Sequence, residues 1–293
     1  MNFFRWGNIF LIFSGALVGL SFASILLFGL NLGIDFVGGA ILEVEYENSR
    51  PSNEEIQSLL ANAALIDLQV QPIGDKGIIL RMEDIAEEKH QEILTTLGEQ
   101  AKELRFEAIG PVIGKELREK SLRIAILSTL VIAVYIWLAF RRITRPVKSW
   151  QWSFAALVVS VHDIAIPLGV LAFLGRYGFA QISIPIVVAL LTVIGYSIND
   201  TVVVFDRIRE NLEKQRDPLF GNIVNISIRE TLMRSISTGF STILVLVAIL
   251  ISGGETLRYF SLTLIIGIAA GTWSSLFLAP FLLVKLVERK GGS

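Results

Sequence analysis

LLTVIGYSINDTVVVFDRIREN, residues 190–211, is the stretch that decides how this chain is read. It begins inside an apolar run that starts at Ile182, and it carries a carboxylate, Asp200, before that run has ended. Charge becomes dense only past Val202, Val203, Val204 and Phe205, with Asp206, Arg207, Arg209 and Glu210. An ionised carboxylate is costly at membrane depth and normally faces a protein interior or a water-filled cavity. On a helix, Tyr196, Ser197, Asp200 and then Val204 or Arg207 fall at three- and four-residue spacing and share a face, with Asn199 beside it. One side of such a helix is polar and the rest can meet lipid. The pattern is that of a working helix in a membrane protein, with Asp206 to Glu210 as an interfacial charged turn.

Composition agrees. The 293 residues are 53% hydrophobic and 18% charged, and mean hydropathy is +0.61; soluble domains carry about 25% charge. A net charge of −1 provides no basic field for nucleic acid. The absence of cysteine excludes disulfides, thiolate catalysis and Cys-based metal sites. His90 and His162 are the only histidines, too few for a histidine cage. HExxH, GxSxG, Walker A and GxGxxG patterns are all missing, so the usual hydrolase and nucleotide signatures are too. No metal and no cofactor is expected.

Outward from the central stretch, apolar runs predict six transmembrane helices, at 6–34, 124–140, 153–175, 182–205, 235–254 and 259–284. The first far exceeds a signal-peptide core of ~7–15 residues and no small-residue cleavage site follows it, so it reads as a span. Residues 35–120 are a change of medium. Period-two alternation from Ile41 to Glu47 predicts a strand. Ser52 and Glu55 have capping-box spacing, opening a helix to about Ala64. Strands over 65–71 and 76–82, a helix over 84–101 and a strand over 103–109 complete a β-α-β-β-α-β order, that of the ferredoxin-like fold. The acidic residues of this domain read as a solvated surface. The expected domains are therefore 1–34 with the first span, 35–120 as an α+β domain, and 121–293 as a five-helix membrane domain.

Arg141, Arg142, Arg145 and Lys148, the polar segment 206–234, and Lys285, Arg289 and Lys290 make one side basic, while the short opposite loops carry Arg176 and Arg258. The positive-inside rule puts both termini in the cytoplasm and the α+β domain, between helices 1 and 2, outside it.

Three spans carry charge. Asp163 falls mid-span beside His162, Asp200 lies in the fourth span, and Arg234 enters the fifth, where Thr231, Arg234, Thr238 and Ser241 repeat at helical spacing. Desolvation and a nearby guanidinium act in opposite directions on a buried carboxyl, so this set fits a proton relay with Arg234 as the counter-charge to Asp200. The plainer alternatives are that Asp163 caps a kink near Pro167, that Arg234 snorkels to the interface, and that His162 only packs. Asp35, Gly38 and Gly39 at the exit of the first span mark a tight turn or close backbone approach. Gly267, Ala269, Ala270 and Gly271 would let helices pack closely.

These motifs carry a resemblance. Gly33-Ile34-Asp35-Phe36-Val37-Gly38-Gly39, Gly110-Pro111-Val112-Ile113-Gly114-Lys115-Glu116-Leu117, His162-Asp163, the run from Val193 to Asp200 and on through Phe205 to Asn211, and Thr231 to Arg234 with Ser237 and Thr238 are similar to the motifs of the SecF family. Its members are the smaller membrane subunits of SecD–SecF protein-export complexes, in the resistance-nodulation-division (RND) superfamily. The resemblance covers nearly the whole chain. It implies an accessory subunit of a translocase rather than an enzyme, which with SecD uses the proton-motive force to promote late-stage export of polypeptides through the SecYEG translocon. It further implies a proton path through Asp200 and Arg234, with Asp163, His162, Asn199 and Tyr196 as further candidates, and Asp35, Gly38 and Gly39 as a conformational motif. Six spans are half of an RND core, so SecD would supply the other half. The cell membrane or a related energised membrane such as the thylakoid is the expected location. A small-molecule or lipid exporter of the same superfamily and a purely structural translocon subunit remain the alternatives. An intramembrane enzyme is disfavoured, because no nucleophile–base pair is visible.

Overall fold

The computed structural model describes residues 6–141, 146–178, 180–214 and 219–291; Arg142 and Arg145 of the basic loop, and the side chains of Arg289 and Lys290 in the tail, lie outside it. The chain divides into two compact units, Leu32–Leu122 and the remainder, Met1–Asn31 with Arg123–Ser293.

In chain order the elements are α1 (Gly7–Phe28), α2 (Ile34–Val37), β1 (Gly39–Tyr46), α3 (Asn53–Leu60), β2 (Gln69–Ile73), β3 (Gly77–Met82), α4 (Glu87–Leu97), β4 (Ala101–Ile109), α5 (Pro111–Ala139), α6 (Ser149–Arg176), α7 (Ile184–Lys214), α8 (Phe220–Ser252), α9 (Glu255–Trp273), a π-helical turn (Ser274–Leu278) and α10 (Ala279–Gly291).

The smaller unit is one antiparallel sheet, ordered β2-β3-β1-β4, with α3 and α4. Alternation along β1 sends Ala40, Leu42, Val44 and Tyr46 inward. They meet Ile78 and Leu80 of β3, Ile56 and Leu60 of α3, and Ile93 of α4 in a single apolar core. Each such fully buried aliphatic side chain stabilises the fold by roughly 1.5–3 kcal/mol. The capping box at α3 forms as its spacing predicts: Glu55 N–H donates to Ser52 Oγ (3.2 Å) and Ser52 N–H to Glu55 Oε2 (2.8 Å). Several boundaries differ from the sequence reading. Strand β2 starts at Gln69 rather than 65, because Ala64 and Asp67 adopt left-handed φ of 48° and 55° and turn the chain first. Helix α4 stops at Leu97, where Gly98 takes φ 91°. Strand β4 then begins at Ala101.

The larger unit is helical. Six helices are long and apolar enough to cross a membrane: Gly7–Phe28, Pro111–Ala139, Ser149–Arg176, Ile184–Lys214, Phe220–Ser252 and Leu257–Glu288. The first ends earlier than predicted, at Gly29 with φ 73°. The second starts at Pro111, a residue suited to a first helical position. The charged turn expected at Asp206 to Glu210 is instead helix: α7 runs on to Lys214 and α8 begins at Phe220. Pairs spaced for a helix hold that extension, Arg209 with Asp206 (2.7 Å), and Glu210 with both Arg207 and Lys214. Arg207 Nε and Asn211 Nδ2 each donate to Glu230 Oε2 of α8 at 2.7 Å, clamping the two helices together.

Helix α6 packs against α1, α7, α9 and α10. Stacked Phe140 and Trp152 (4.9 Å) meet Phe205 of α7 in the main apolar cluster. A Cβ on Gly267 of α9 would stand 2.2 Å from the Val193 side chain of α7, and one on Gly271 would crowd Ser197 Cβ at 3.0 Å, so the glycines let these helices pack closely. Ala269 of the same small-residue run faces outward. Large apolar residues cover the outside, among them Leu127, Leu130 and Trp137 on α5 and Phe240, Leu244 and Ile251 on α8. That is the surface a hydrocarbon solvent requires.

Candidate functional site

Within this unit α6 carries His162 and Asp163, α7 carries Ser197 and Asp200, α8 carries Ser235, and the π-helical turn carries Ser274 and Ser275. Neighbouring residues on a helix point about 100° apart. Ser197 and Asp200, three apart, therefore share a side of α7, whereas adjacent Ser274 and Ser275 reach toward different helices.

Asp163 is fully buried, at 0% exposure. Its Oδ2 accepts from Ser274 Oγ at 2.8 Å and from Ser197 Oγ, and its Oδ1 lies 2.7 Å from His162 Nδ1. Three elements thus converge on one carboxyl group. These donors offset the desolvation of a buried polar group. These bonds go to α7, to the π-helical turn and to the adjacent histidine. His162 is also buried, and it forms part of the wall of an apolar cleft of about 590 Å³ between α1, α6 and α10.

Asp200 is half-buried. Ser235 Oγ donates to its Oδ1 at 2.6 Å, and Ser275 Oγ donates to its Oδ2. Both aspartates are therefore gripped by pairs of serine hydroxyls, and one serine of each pair comes from the π-helical turn. Such turns are rare and recur at functional sites.

The remaining expected residues divide. Tyr196 is half-buried and packs with Leu246 and Leu264, one turn from Asp200. Asn199 is exposed, on the side of α7 away from the serines. Arg234 is exposed on α8, and among the described residues it makes no ion pair with Asp200. Its neighbour Ser235 takes the contact the sequence reading gave to the arginine. Thr231, Thr238 and Ser241 bond to carbonyls of their own helix. Among the described residues no group of carboxylates and histidines could hold a metal ion.

In the smaller unit, Asp35 sits in the four-residue helix α2, half-buried. Gly38 and Gly39 follow with φ of 84° and 133°. A Cβ on Gly38 would stand 2.8 Å from Pro111 Cα, and one on Gly114 would stand 2.8 Å from Gly38 N. The glycines are there for close approach between the entry of the unit and the start of α5. Nearby on the sheet, Arg105 forks onto Glu107 (2.8 and 2.6 Å), a pairing that raises its pKa above the ordinary arginine value.

Fold and site together define a class: a multi-pass helical membrane protein whose packed interior holds hydroxyl-bound carboxyl groups. The family model described as protein export membrane protein SecD/SecF, C-terminal, matches residues 89–289, and that of the SecD/SecF GG motif matches residues 23–49. The chain belongs to this SecD/SecF family of protein-export membrane proteins. It is 37% identical to the protein translocase subunit SecF of Thermobaculum terrenum, over 96% of this chain and 92% of that protein. With the protein of the same name from Desulfurispirillum indicum the identity is 39%, over 92% and 87%. Among solved structures it resembles SecDF, a translocon-associated membrane protein from Thermus thermophilus, with TM-score 0.86 and 30% identity. That match covers 99% of this chain and 39% of the SecDF chain, so the present chain spans about two fifths of that relative. A SecDF structure in a super-membrane-facing form matches with TM-score 0.72.

Proposed function

We propose that this chain is the SecF-type subunit of a protein-export complex, in which proton movement through the larger unit drives late-stage export. The supporting observation is the pair of serine-held carboxyls, Asp163 and Asp200, joined through one turn of helix inside a span. In this reading Asp200 takes a proton from one side of the membrane and releases it to the other. His162 and Asp163 form the inner end of the path, and Tyr196 and Asn199 flank it. Arg234, exposed on α8, acts as counter-charge to the partner half of an RND-like core, supplied by SecD. One charge moving down 100 mV supplies ~2.3 kcal/mol, enough to bias a domain equilibrium.

The smaller unit is assigned as an extracytoplasmic, ferredoxin-like domain that helps draw the emerging polypeptide outward from SecYEG. Its β-α-β-β-α-β order and β2-β3-β1-β4 sheet support that assignment. Domain limits near 35 and 120, with both termini cytoplasmic in a cell membrane, belong to the same reading. Asp35, Gly38 and Gly39 are its fixed entry point.

The test is export rate in membrane vesicles containing this chain and its partner, with and without an imposed proton gradient. Acceleration by the gradient is expected for the native protein and not for Asp200→Asn at equal complex levels. Equal acceleration in both would sink the proton role of Asp200. A complex that fails to assemble with Asp200→Asn, yet exports normally when assembled, would make the chain a structural subunit.

A further inference from the structure

Ser274 and Ser275 are consecutive residues, and they bind two different carboxyl groups on two different helices. Each also has a second acceptor within reach. Ser274 Oγ is 3.0 Å from Gly271 O, and Ser275 Oγ is 3.1 Å from Thr272 O. A serine hydroxyl has one proton to donate and lone pairs to accept with. Each can therefore donate to its aspartate or to its own helix, but it can give its single proton fully to only one of them. The carbonyl three residues back is a resting place for that proton.

This gives each serine two states set by its aspartate. While the aspartate is an anion, it takes the serine proton. When it gains a proton from water, its new O–H becomes a donor. The serine then accepts that O–H and turns its own proton to the carbonyl. No bond between heavy atoms changes; one proton is added from solvent and one hydroxyl rotates. Both carbonyls belong to the last turn of α9, at the entrance to a turn bonded i to i+5, where Ala279 N–H reaches Ser274 O. A π turn is a stretch of helix with a nearby α alternative. A change in what one serine bonds therefore acts on backbone its neighbour shares.

We propose that Ser274 and Ser275 are positioning residues that couple Asp163 to Asp200, so that the protonation state of one carboxyl is felt by the other through the π-helical turn. This rests on the proton-coupled reading and adds the internal link that reading lacks. Ser197 of α7 donates to the same Asp163 oxygen as Ser274, and Ser235 of α8 donates to the Asp200 oxygen that Ser275 leaves. The titratable and charged groups around the pair are His162 on α6, Tyr196 on α7, and Glu230 and Arg234 on α8; the π-helical turn itself has none. Arg234 is exposed, and Glu230 is held by Arg207 and Asn211, so the hydroxyls provide the one direct side-chain link among the described residues that reaches both aspartates from a shared turn.

Isotope-edited infrared spectroscopy of the full chain in lipid vesicles tests this. The carboxyl band of Asp163 is assigned by its loss in Asp163→Asn. Asp200→Asn, which mimics a neutral side chain, is expected to shift that band. The shift should vanish when Ser274→Ala and Ser275→Ala are combined, and should return with Ser274→Thr and Ser275→Thr, which keep both hydroxyls. A shift that persists in the alanine pair would overturn the proposal, because coupling would then travel elsewhere. No shift in the native background would overturn it as well, and so would failure of the threonine pair to restore it. The proton-coupled reading stands or falls separately, on whether Asp200→Asn abolishes acceleration of export by the gradient.

Discussion

The two units of this chain differ in what they do with polar side chains. The smaller unit hides Leu42, Val44, Ile56, Ile78, Leu80 and Ile93 and turns Glu45, Glu54, Glu88 and Lys102 to water. The larger unit hides Asp163, His162, Ser197, Ser227, Ser235, Ser274 and Ser275 and turns Leu127, Leu130, Phe240 and Ile251 outward. Each follows its solvent. In water, apolar area drives folding and polar groups stay outside. In hydrocarbon that drive is missing between helices, so close backbone contact and satisfied hydrogen bonds hold the helices together. A buried polar group is thus a cost in the smaller unit and part of the adhesive in the larger.

Substitutions can break or sharpen this contrast. All five tryptophans, residues 6, 137, 150, 152 and 273, lie in the larger unit, so tryptophan fluorescence reports on it alone. The largest effect is expected from Asp163→Leu. It leaves the donors Ser197, Ser274 and His162 without their acceptor, which costs about 3–5 kcal/mol. The fluorescence melt should fall steeply, and an unchanged melt would mean that the polar interior contributes no cohesion.

Leu80→Ala is the matching change in the smaller unit, worth about 3 kcal/mol through a cavity in its core. Hydrogen exchange should quicken across β1 and β3 while the tryptophan signal stays put. If the tryptophan melt falls by as much, the two units are not separate cooperative blocks. Gly38→Ala comes next, at roughly 1–3 kcal/mol, because it combines positive φ with a Cβ pressed on Pro111. Faster exchange confined to 34–39 and the first turn of α5 is the expected pattern, and protection equal to the native protein would remove the close-approach argument. Ser52→Ala should be the smallest, about 1 kcal/mol from one lost cap. It should be visible as fraying at the start of α3, and equal protection there would count against the cap.

The sequence displayed the six spans, the capping box and the strand-helix order, because each rests on local periodicity or spacing. It hid features decided by partners distant in the chain. Asp206 to Glu210 read as a turn because charge normally ends a span, yet Glu230 on the next helix stabilises their helical form. Ala64 and Asp67 gave no sign of left-handed backbone, since neither is glycine. At the site, Asp163 and Asp200 stood out as charges in apolar runs, and Ser197 fell on the expected face. Ser235, Ser274 and Ser275 did not stand out, because an uncharged hydroxyl in a span can satisfy itself on its own helix. The one available signal was two adjacent serines in the middle of an otherwise apolar run. Arg234 drew attention by its charge, while the contact with Asp200 is made by the serine next to it.

The approach of Gly38 to Pro111 and Gly114 has a topological consequence. The backbone enters the smaller unit and leaves it at nearly one point, so everything from β1 to β4 is a closed insert, a bead on a loop whose neck is cinched by glycines. Such an insert can grow, shrink or be exchanged for another module while the two strands at its neck keep their spacing. The bead can then vary in sequence while the neck stays held to residues without a side chain.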